Sequence, residues 1–244
     1  ASLYLAFTRP EKSVMKIVLW IGLIVSILVA GGVGFLLGGN AGRLFWHVGL
    51  LPVQFPVFAL ASGAALMLVI VGWFGPKNDH GNRASQLWTL SILTVVLGVV
   101  KIYFMVADYT QSLYGGAPDN VIAVQSILTG QYALSFWVVQ ILIGTLIPLI
   151  ILSQPKLAKN DFVAGLMGLL LLVGYAVARI LIVVPGQVAP MLPGLAEAFS
   201  GPKLTFEYVP SLMEWSVTSA VIGFTILAIL IGLDRLVRFT EVKK

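Results

Sequence analysis

Hydrophobic residues occur in six long runs along the chain, separated by short segments rich in glycine, proline and polar residues. A bilayer core about 30 Å thick is crossed by about 20 apolar residues in a helix, so each run is long enough to span it. None shows the polar stripe of a soluble surface helix or the alternation of a transmembrane β-strand. The pattern predicts an all-α integral membrane helical bundle, with transmembrane helices near residues 14–38, 50–74, 86–110, 132–153, 162–184 and 211–233.

Composition supports this class and narrows the chemistry. Only 10% of the residues are charged, against about 25% in soluble domains. The chain has no cysteine, which excludes disulfides, thiolate metal sites and iron–sulfur clusters held by this chain. It has two histidines, neither within a predicted span, so we expect no heme and no metal site. The net charge of +5 is spread over short loops and the C-terminus, which argues against a nucleic-acid partner.

The basic residues outside the predicted spans or at their ends predict the orientation of the bundle. One side of the membrane receives eleven lysines and arginines, whereas the other receives Arg43 and Lys203 alone. Cytoplasmic loops carry the excess of positive charge in membrane proteins. Both ends of the chain are therefore predicted to be cytoplasmic. The eleven residues are Arg9, Lys12, Lys16, Lys77, Arg83, Lys156, Lys159, Arg235, Arg238, Lys243 and Lys244.

Apart from Lys16 at the start of the first span, four ionisable side chains fall within the spans, where an unpaired charge is costly and marks a candidate site. Lys101 and Asp108 are seven residues apart, so they share one face of the third helix, where a third group could bridge them. Arg179 and Glu214 lie at the outer depth of consecutive helices and could form a pair. Further polar and aromatic side chains occur at outer depths: Gln54, Tyr103, Trp137, Gln140, Tyr175, Gln187 and Tyr208.

Two interpretations of this polar layer remain open at the level of sequence. In the first, the charges neutralise one another and only hold the bundle together. In the second, they line a wet, polar pocket that handles protons or a polar head group. The number of polar side chains favours the second interpretation, because one structural ion pair needs fewer.

Five stretches carry a resemblance to a known family. They are PVFALASGAA (56–65), KIYFMVADYTQSLYG (101–115), YALSFWVVQILIGTLIPLIIL (132–152), ARILIVVPGQ (178–187) and YVPSLMEW (208–215). In order and spacing they resemble the NrfD/PsrC family, the membrane subunit of polysulfide-reductase-type complexes, and in particular the C-terminal half of long HybB- and DsrP-type members. The chain is accordingly expected to form a single NrfD-like domain over residues 1–244, as a short form or as one that lacks preceding helices.

The resemblance implies a function in a respiratory chain. Members of this family are heme-free and exchange electrons between membrane quinone, of the menaquinone or ubiquinone type, and a ferredoxin-like iron–sulfur subunit. That subunit links them to a catalytic redox subunit, which carries molybdopterin, nickel–iron or another centre. The expected location is the cytoplasmic membrane of a prokaryote.

The leading hypothesis is thus a quinone-interacting subunit of an oxidoreductase complex, not catalytic alone. Asp108 and Glu214 would relay protons, while Lys101 and Arg179 would orient or compensate them. The candidate quinone contacts are Tyr103, Gln140, Gln187 and Tyr208, with Trp137 as a stacking wall.

Two other classes of function compete with this hypothesis. One is a structural membrane anchor with a proton-conducting path and no quinone site of its own. The other is a secondary transporter, which is less favoured because the sequence shows no inverted repeat and the polar layer is off-centre.

Overall fold

The computed structural model describes residues 12–75, 80–190, 194, 198, 201, 208 and 210–241, and its regular structure over those residues is helical. A helix satisfies its own backbone hydrogen bonds, which is why apolar runs adopt it in a membrane. The elements in chain order are α1 (Lys12–Gly38), α2 (Leu51–Val69), π1 (Ile70–Phe74), α3 (His80–Tyr114), α4 (Pro118–Leu128), π2 (Ser135–Leu146), α5 (Ile147–Leu152), α6 (Pro155–Ala158), α7 (Asp161–Val188) and α8 (Leu212–Glu241), where π1 and π2 are π-helical.

Six helices within the described residues are long and apolar enough to cross a membrane, which confirms the predicted fold class. They are Ser13–Gly38, Leu51–Phe74, Arg83–Tyr114, Ser135–Leu152, Asp161–Val188 and Leu212–Gly232. The orientation of the termini stays a prediction. Several of the basic residues on which it depends lie outside the described residues: Arg9, Lys77, Lys203, Lys243 and Lys244.

Two helices extend further toward the predicted outer side than the apolar runs indicated. The third span continues to Tyr114, and the fifth continues through Pro185 to Val188. A proline lacks the backbone N–H that would bond the carbonyl four residues earlier. So close to the end of α7, the helix loses one hydrogen bond and still completes its last turn.

The chain divides into two compact units. The larger, Val25–Phe206, contains the bundle formed by α2, α3, π2 with α5, and α7. Its neighbouring helices are α2 with α3, α2 with α7, and π2 with α7. The other unit comprises the described residues of Ala1–Ile24 and Glu207–Lys244. It contains the first part of α1 and all of α8.

The half of the larger unit away from Asp108 is an apolar core. Leu68, Leu87, Leu152 and Leu171 are fully buried there and belong to one continuous cluster. Glycines permit the close approach of the helices: a side chain at Gly144 of π2 would collide with the backbone of Gly174 in α7. Small residues at such crossings are typical of membrane helix packing, where van der Waals contact replaces the hydrophobic effect as a driving force.

Arg83 closes the same end of this bundle. Its guanidinium donates hydrogen bonds to the carbonyl oxygens of Gly72 at 2.6 Å and Gly75 at 3.0 Å, and forms an ion pair with Asp161 at 3.2 Å. The last carbonyls of a helix have no partner within it. Arg83, which the sequence presented only as a positive loop charge, therefore caps the π1 end and ties it to the start of α7.

The segment between the third and fourth spans contains a helix that the apolar runs did not reveal. α4 buries Ala123, Val124 and Ile127 and packs against α7, α3 and π2. It is too short to span a bilayer. It covers the bundle at the end where Asp108 lies.

Candidate functional site

Lys101 lies on the face of α3 that points into the bundle, and only 3% of it is exposed. Its Nζ is 4.0 Å from the centre of the Tyr175 ring and 5.9 Å from the centre of the Phe58 ring. No hydrogen bond is formed by this Nζ within the described residues. An aromatic face attracts a cation, by about 2 kcal/mol or more where both are removed from water. Tyr175 is therefore the main partner of the buried ammonium group.

Asp108 stands on the same face of α3, two turns and about 10 Å further along the helix. Both residues line one cavity, which also receives Gln54 from α2 and Gln140 from π2. Gln54 is 1% exposed and Gln140 is 2% exposed. Lys101 and Asp108 thus share one face, as the sequence predicts, and the structure adds the side-chain amides of two residues from other helices. Apolar side chains complete the wall: Phe58, Met105, Ala178 and Ile182.

Several polar atoms around this cavity are buried and have no hydrogen-bond partner among the described residues. They are Gln54 Nε2, Lys101 Nζ, Asp108 Oδ1 and Gln140 Oε1. An unpartnered buried polar atom costs roughly 1–3 kcal/mol. The volume open to the centre of a water molecule is about 20 Å³, and about 10–15 Å³ is enough for one water. Donors and acceptors facing a space of this size are suited to holding water.

Gln140 is held in place by the geometry of π2. Its Nε2 donates to Met105 Sδ at 3.2 Å, a weak acceptor, and its backbone carbonyl accepts from Thr145 Oγ1 at 2.8 Å. A π-helical segment often marks a functional site, because its wider turn displaces side chains from the usual helical positions. Here the amide oxygen of Gln140 is left facing the cavity beside Lys101.

Arg179 lies on the exposed surface of the larger unit rather than in the cavity. Its guanidinium donates to Ser62 Oγ at 3.3 Å. Tyr175, which contacts Lys101, lies one turn before Arg179 on α7. Lys101 therefore faces the interior of the bundle, whereas Arg179 faces its surface.

Three of the predicted quinone contacts also lie on the surface of this unit. Tyr103 is 69% exposed and Trp137 is 53% exposed, and Gln187 is exposed as well. The indole N–H of Trp137 donates to the carbonyl oxygen of Leu128 at 2.9 Å, which joins π2 to the end of α4. None of these side chains lines the Lys101 cavity. Any contact with a quinone would take place at the surface of the bundle.

Glu214 and Tyr208 occupy the start of α8 in the other unit. Glu214 accepts hydrogen bonds from Ser211 N at 2.7 Å, Ser211 Oγ at 2.8 Å and Tyr208 Oη at 3.0 Å. Its own backbone N–H donates to Ser211 Oγ at 3.3 Å. This is a capping box. The signal for it, a serine three residues before a glutamate at a helix start, was present in the sequence and was overlooked.

Sequence reasoning also omitted some residues of the cavity from the candidate site. Met105 and Tyr109 line it, and their spacing of four and eight residues from Lys101 places them on the same helical face. That spacing was the available signal. Gln54 was recognised as polar at outer depth, but neither Gln54 nor Phe58 could be assigned to this cavity from the sequence, since both reach it from a different helix. Within the described residues no group of three or more histidines, aspartates or glutamates lies close enough together to hold a metal ion.

The fold and site define an all-α membrane protein in which two ionisable residues, Lys101 and Asp108, line one cavity of the larger bundle. Comparison with known proteins gives its family. Residues 3–191 match the family described as "Polysulphide reductase, NrfD", so the chain belongs to the NrfD family, as its sequence motifs indicated.

Three relatives illustrate the similarity. A selenate reductase subunit of Mesobacillus selenatarsenatis is 33% identical over 231 residues, 94% of this chain and 53% of that protein. The Hdr-like menaquinol oxidoreductase integral membrane subunit of Archaeoglobus fulgidus is 25% identical, over 95% of this chain and 60% of that protein. A protein NrfD homolog of Haemophilus influenzae is 26% identical, over 67% of this chain and 50% of that protein. The chain thus spans roughly half to three-fifths of the length of these relatives.

Proposed function

We propose that this chain is the membrane subunit of an oxidoreductase complex and exchanges electrons and protons with membrane quinone. Membership of the NrfD family supports the coarse assignment, together with relatives named as a subunit of selenate reductase and a menaquinol oxidoreductase membrane subunit. The observation that carries the finer proposal is that Lys101, which is buried, and Asp108, which is partly buried, share one cavity with two amides.

The chemistry of a quinone explains why such a pair is useful. Reducing a quinone to a quinol adds two electrons and two protons, and oxidising a quinol releases them. The carboxyl group of Asp108 is suited to accepting and releasing protons at a site partly removed from water. Lys101, which lines the same cavity about 10 Å away along α3, would partly compensate the charge of the carboxylate. In this proposal Asp108 relays protons and Lys101 tunes that relay.

The quinone head group itself needs more space than the cavity offers. A space of about 20 Å³ for water centres takes water but not a six-membered ring. We therefore propose that the head group approaches from the membrane at Arg179, whose exposed guanidinium lies beside Ser62 on the bundle surface. The guanidinium group has several N–H donors, which suit a quinone carbonyl oxygen, whereas the hydroxyl of Ser62 donates to the carbonyl oxygen of Ala59. Tyr175 and Lys101 would connect this surface position to the interior.

The remaining candidate residues keep proposed roles. Tyr103, Trp137 and Gln187 are exposed on the surface of the larger unit and are available to a quinone ring or tail. Glu214 is proposed as a second proton-carrying group with Tyr208 beside it. The electron partner in this proposal is a ferredoxin-like iron–sulfur subunit, linked to a catalytic redox subunit.

The test is quinol oxidation by the purified complex that contains this chain. Asp108→Asn and Arg179→Leu are each expected to lower turnover by at least about tenfold, while the complex keeps all of its subunits. Thr110→Val is the matched control, because Thr110 is exposed on the same helix and its hydroxyl bonds only backbone carbonyls. Normal turnover in an intact Asp108→Asn complex would refute the proposed relay.

A second function is favoured by one observation, the size of the cavity. An anchor subunit with a proton-conducting path and no quinone site would use the same buried groups with water alone. The Arg179→Leu variant separates the two functions. If Arg179→Leu loses both quinol oxidation and inhibition by a quinone analogue, a quinone site on this chain is supported. Unchanged kinetics with quinol and with the analogue support the anchor.

A further inference from the structure

A second cavity lies next to the first, toward the end of α3. It is lined by Asp108, Tyr109, Ser112, Phe45, Trp46 and Ile182, and its volume for water centres is again about 20 Å³. Asp108, Tyr109 and Ile182 line both cavities. The side chains of Asp108 and Tyr109 are therefore the polar groups that face both spaces.

On the other side of Lys101 the space narrows. A third gap touches Lys101, Met105 and Gln140 and ends at Thr145, but it has no volume for a water centre. Beyond it lie Leu149, Leu152 and Leu171, which belong to the buried apolar cluster. An apolar core packed to this degree does not hold water. Among the described residues, the two cavities of water size near Lys101 therefore lie on its Asp108 side, whereas the gap on its Thr145 side is too narrow for water.

The loop between α1 and α2 lies against the second cavity. Trp46 is 6% exposed, and its indole N–H donates to the carbonyl oxygen of Ile182 at 2.8 Å. Arg43 in the same loop donates to the carbonyl oxygen of Ala189 at 2.8 Å. Both contacts fix the loop to the end of α7. The side chain of Trp46 thus forms the wall of the second cavity that faces this loop.

We propose that the two cavities form one hydrated path, which runs from the Ser112 end past Asp108 and ends blindly at Lys101 beneath the Trp46 loop. Lys101 and Asp108 then exchange protons with one side of the membrane, the side on which α3 ends. Under the predicted orientation this is the side opposite the cytoplasm. The inference rests on the proposed function for its purpose, because it gives the direction of proton exchange during quinone turnover.

Three observations support water in this path. Gln54, Lys101 and Gln140 are nearly fully buried, yet each directs an unpartnered polar atom toward the first cavity. Asp108 likewise has an unpartnered oxygen where the cavities meet. Donors and acceptors from three helices face a space that admits water, which is the arrangement that binds buried water.

The experiment is hydroxyl-radical footprinting by X-ray radiolysis of the purified complex in lipid nanodiscs, read by mass spectrometry. X-ray radiolysis converts water into hydroxyl radicals, which oxidise the methionine side chains in contact with that water. Met105 lines the first cavity, whereas Met167 is buried in the apolar core. We expect Met105 to be oxidised roughly tenfold faster than Met167, as water contact requires. Equal, slow oxidation of the two would overturn the proposal.

Variants test the direction of the path. Ser112→Trp fills the second cavity and Asp108→Leu removes a polar group that faces both cavities, so each should slow Met105 oxidation severalfold. Ile102→Phe fills the narrow gap and should leave the rate of Met105 oxidation unchanged. A slow rate in Ile102→Phe and a normal rate in Ser112→Trp would place the water entry on the wrong side and refute the proposal.

Met167 also reports on folding in these variants, because its oxidation rises if the core opens. Footprinting needs no quinone turnover. If Met105 is oxidised slowly while Asp108→Asn lowers quinol turnover, the hydrated path alone is refuted. If Met105 is oxidised fast while Asp108→Asn leaves turnover unchanged, the proposed quinone function alone is refuted.

Discussion

The ammonium nitrogen of Lys101 stands 4.0 Å from the centre of the Tyr175 ring, and neither this nitrogen nor the hydroxyl of Tyr175 has a hydrogen-bond partner among the described residues. The ring face, not the phenol oxygen, therefore holds the lysine. This distinguishes the contact from an ordinary tyrosine–lysine hydrogen bond and makes it testable by two substitutions at one position.

Tyr175→Phe is expected to keep the protein stable, because phenylalanine retains the ring and removes an unpartnered buried hydroxyl. Tyr175→Leu loses the ring and should lower the free energy of unfolding by about 2 kcal/mol, the cation–π contribution for a desolvated pair. The measurement is the thermal midpoint of the complex in detergent. A phenylalanine variant as unstable as the leucine variant would show that the hydroxyl matters instead.

A double-mutant cycle tests whether Lys101 and Asp108 act together. Lys101→Met and Asp108→Asn should each change stability, and the double variant should be less destabilised than the sum, with a coupling of about 0.5–3 kcal/mol. The reason is that either single change leaves one charge in a cavity built for two. Thr110→Val in place of Asp108→Asn supplies the control cycle, which should show no coupling. Strict additivity in both cycles would mean that Lys101 and Asp108 do not interact.

Gly144→Val should prevent assembly of the larger bundle or destabilise it by several kcal/mol, since the new side chain would collide with the backbone of Gly174. Gly63→Ala is the matched control, because a Cβ at Gly63 meets no atom within 4 Å. Alanine at this helical position should be neutral or stabilise by about 0.4–1 kcal/mol. Expression in membranes and resistance to unfolding by detergent measure both variants. Tolerance of Gly144→Val would contradict the close crossing.

Glu214 distinguishes a cap from a proton relay. Glu214→Ala should destabilise the start of α8 by about 0.5–2 kcal/mol through loss of the capping box, whereas Glu214→Gln preserves the hydrogen-bonding shape but cannot carry a proton. From the relay proposed for this residue, we expect Glu214→Gln to keep the stability of the complex but to lower its quinol turnover. Unchanged turnover in a stable Glu214→Gln complex would show that Glu214 serves only as a cap.

Several residues of the candidate site could be identified from the sequence, but which of them share one cavity could not. Lys101 and Asp108 were identified because charges in apolar runs are conspicuous, and their spacing of seven placed them on one face. Arg179 was conspicuous for the same reason, yet it lies on the surface of the bundle. A span that is apolar all round gives no sequence signal for the face that turns inward. For that reason Tyr103 and Trp137 were grouped with Gln140, although only Gln140 reaches the cavity.

By itself the sequence determined that this protein is a bundle of apolar membrane-spanning helices, because the length of an apolar run and the cost of unpaired backbone groups in lipid are local properties. It also determined the shared face of Lys101 and Asp108, since helical periodicity is local as well. Only the tertiary structure decided that Gln54, Gln140 and Tyr175 surround that pair. The rotation of each helix is fixed by contacts distant along the chain, such as that of Gly144 with Gly174. Those contacts decide which polar groups share one small cavity and which remain at the surface.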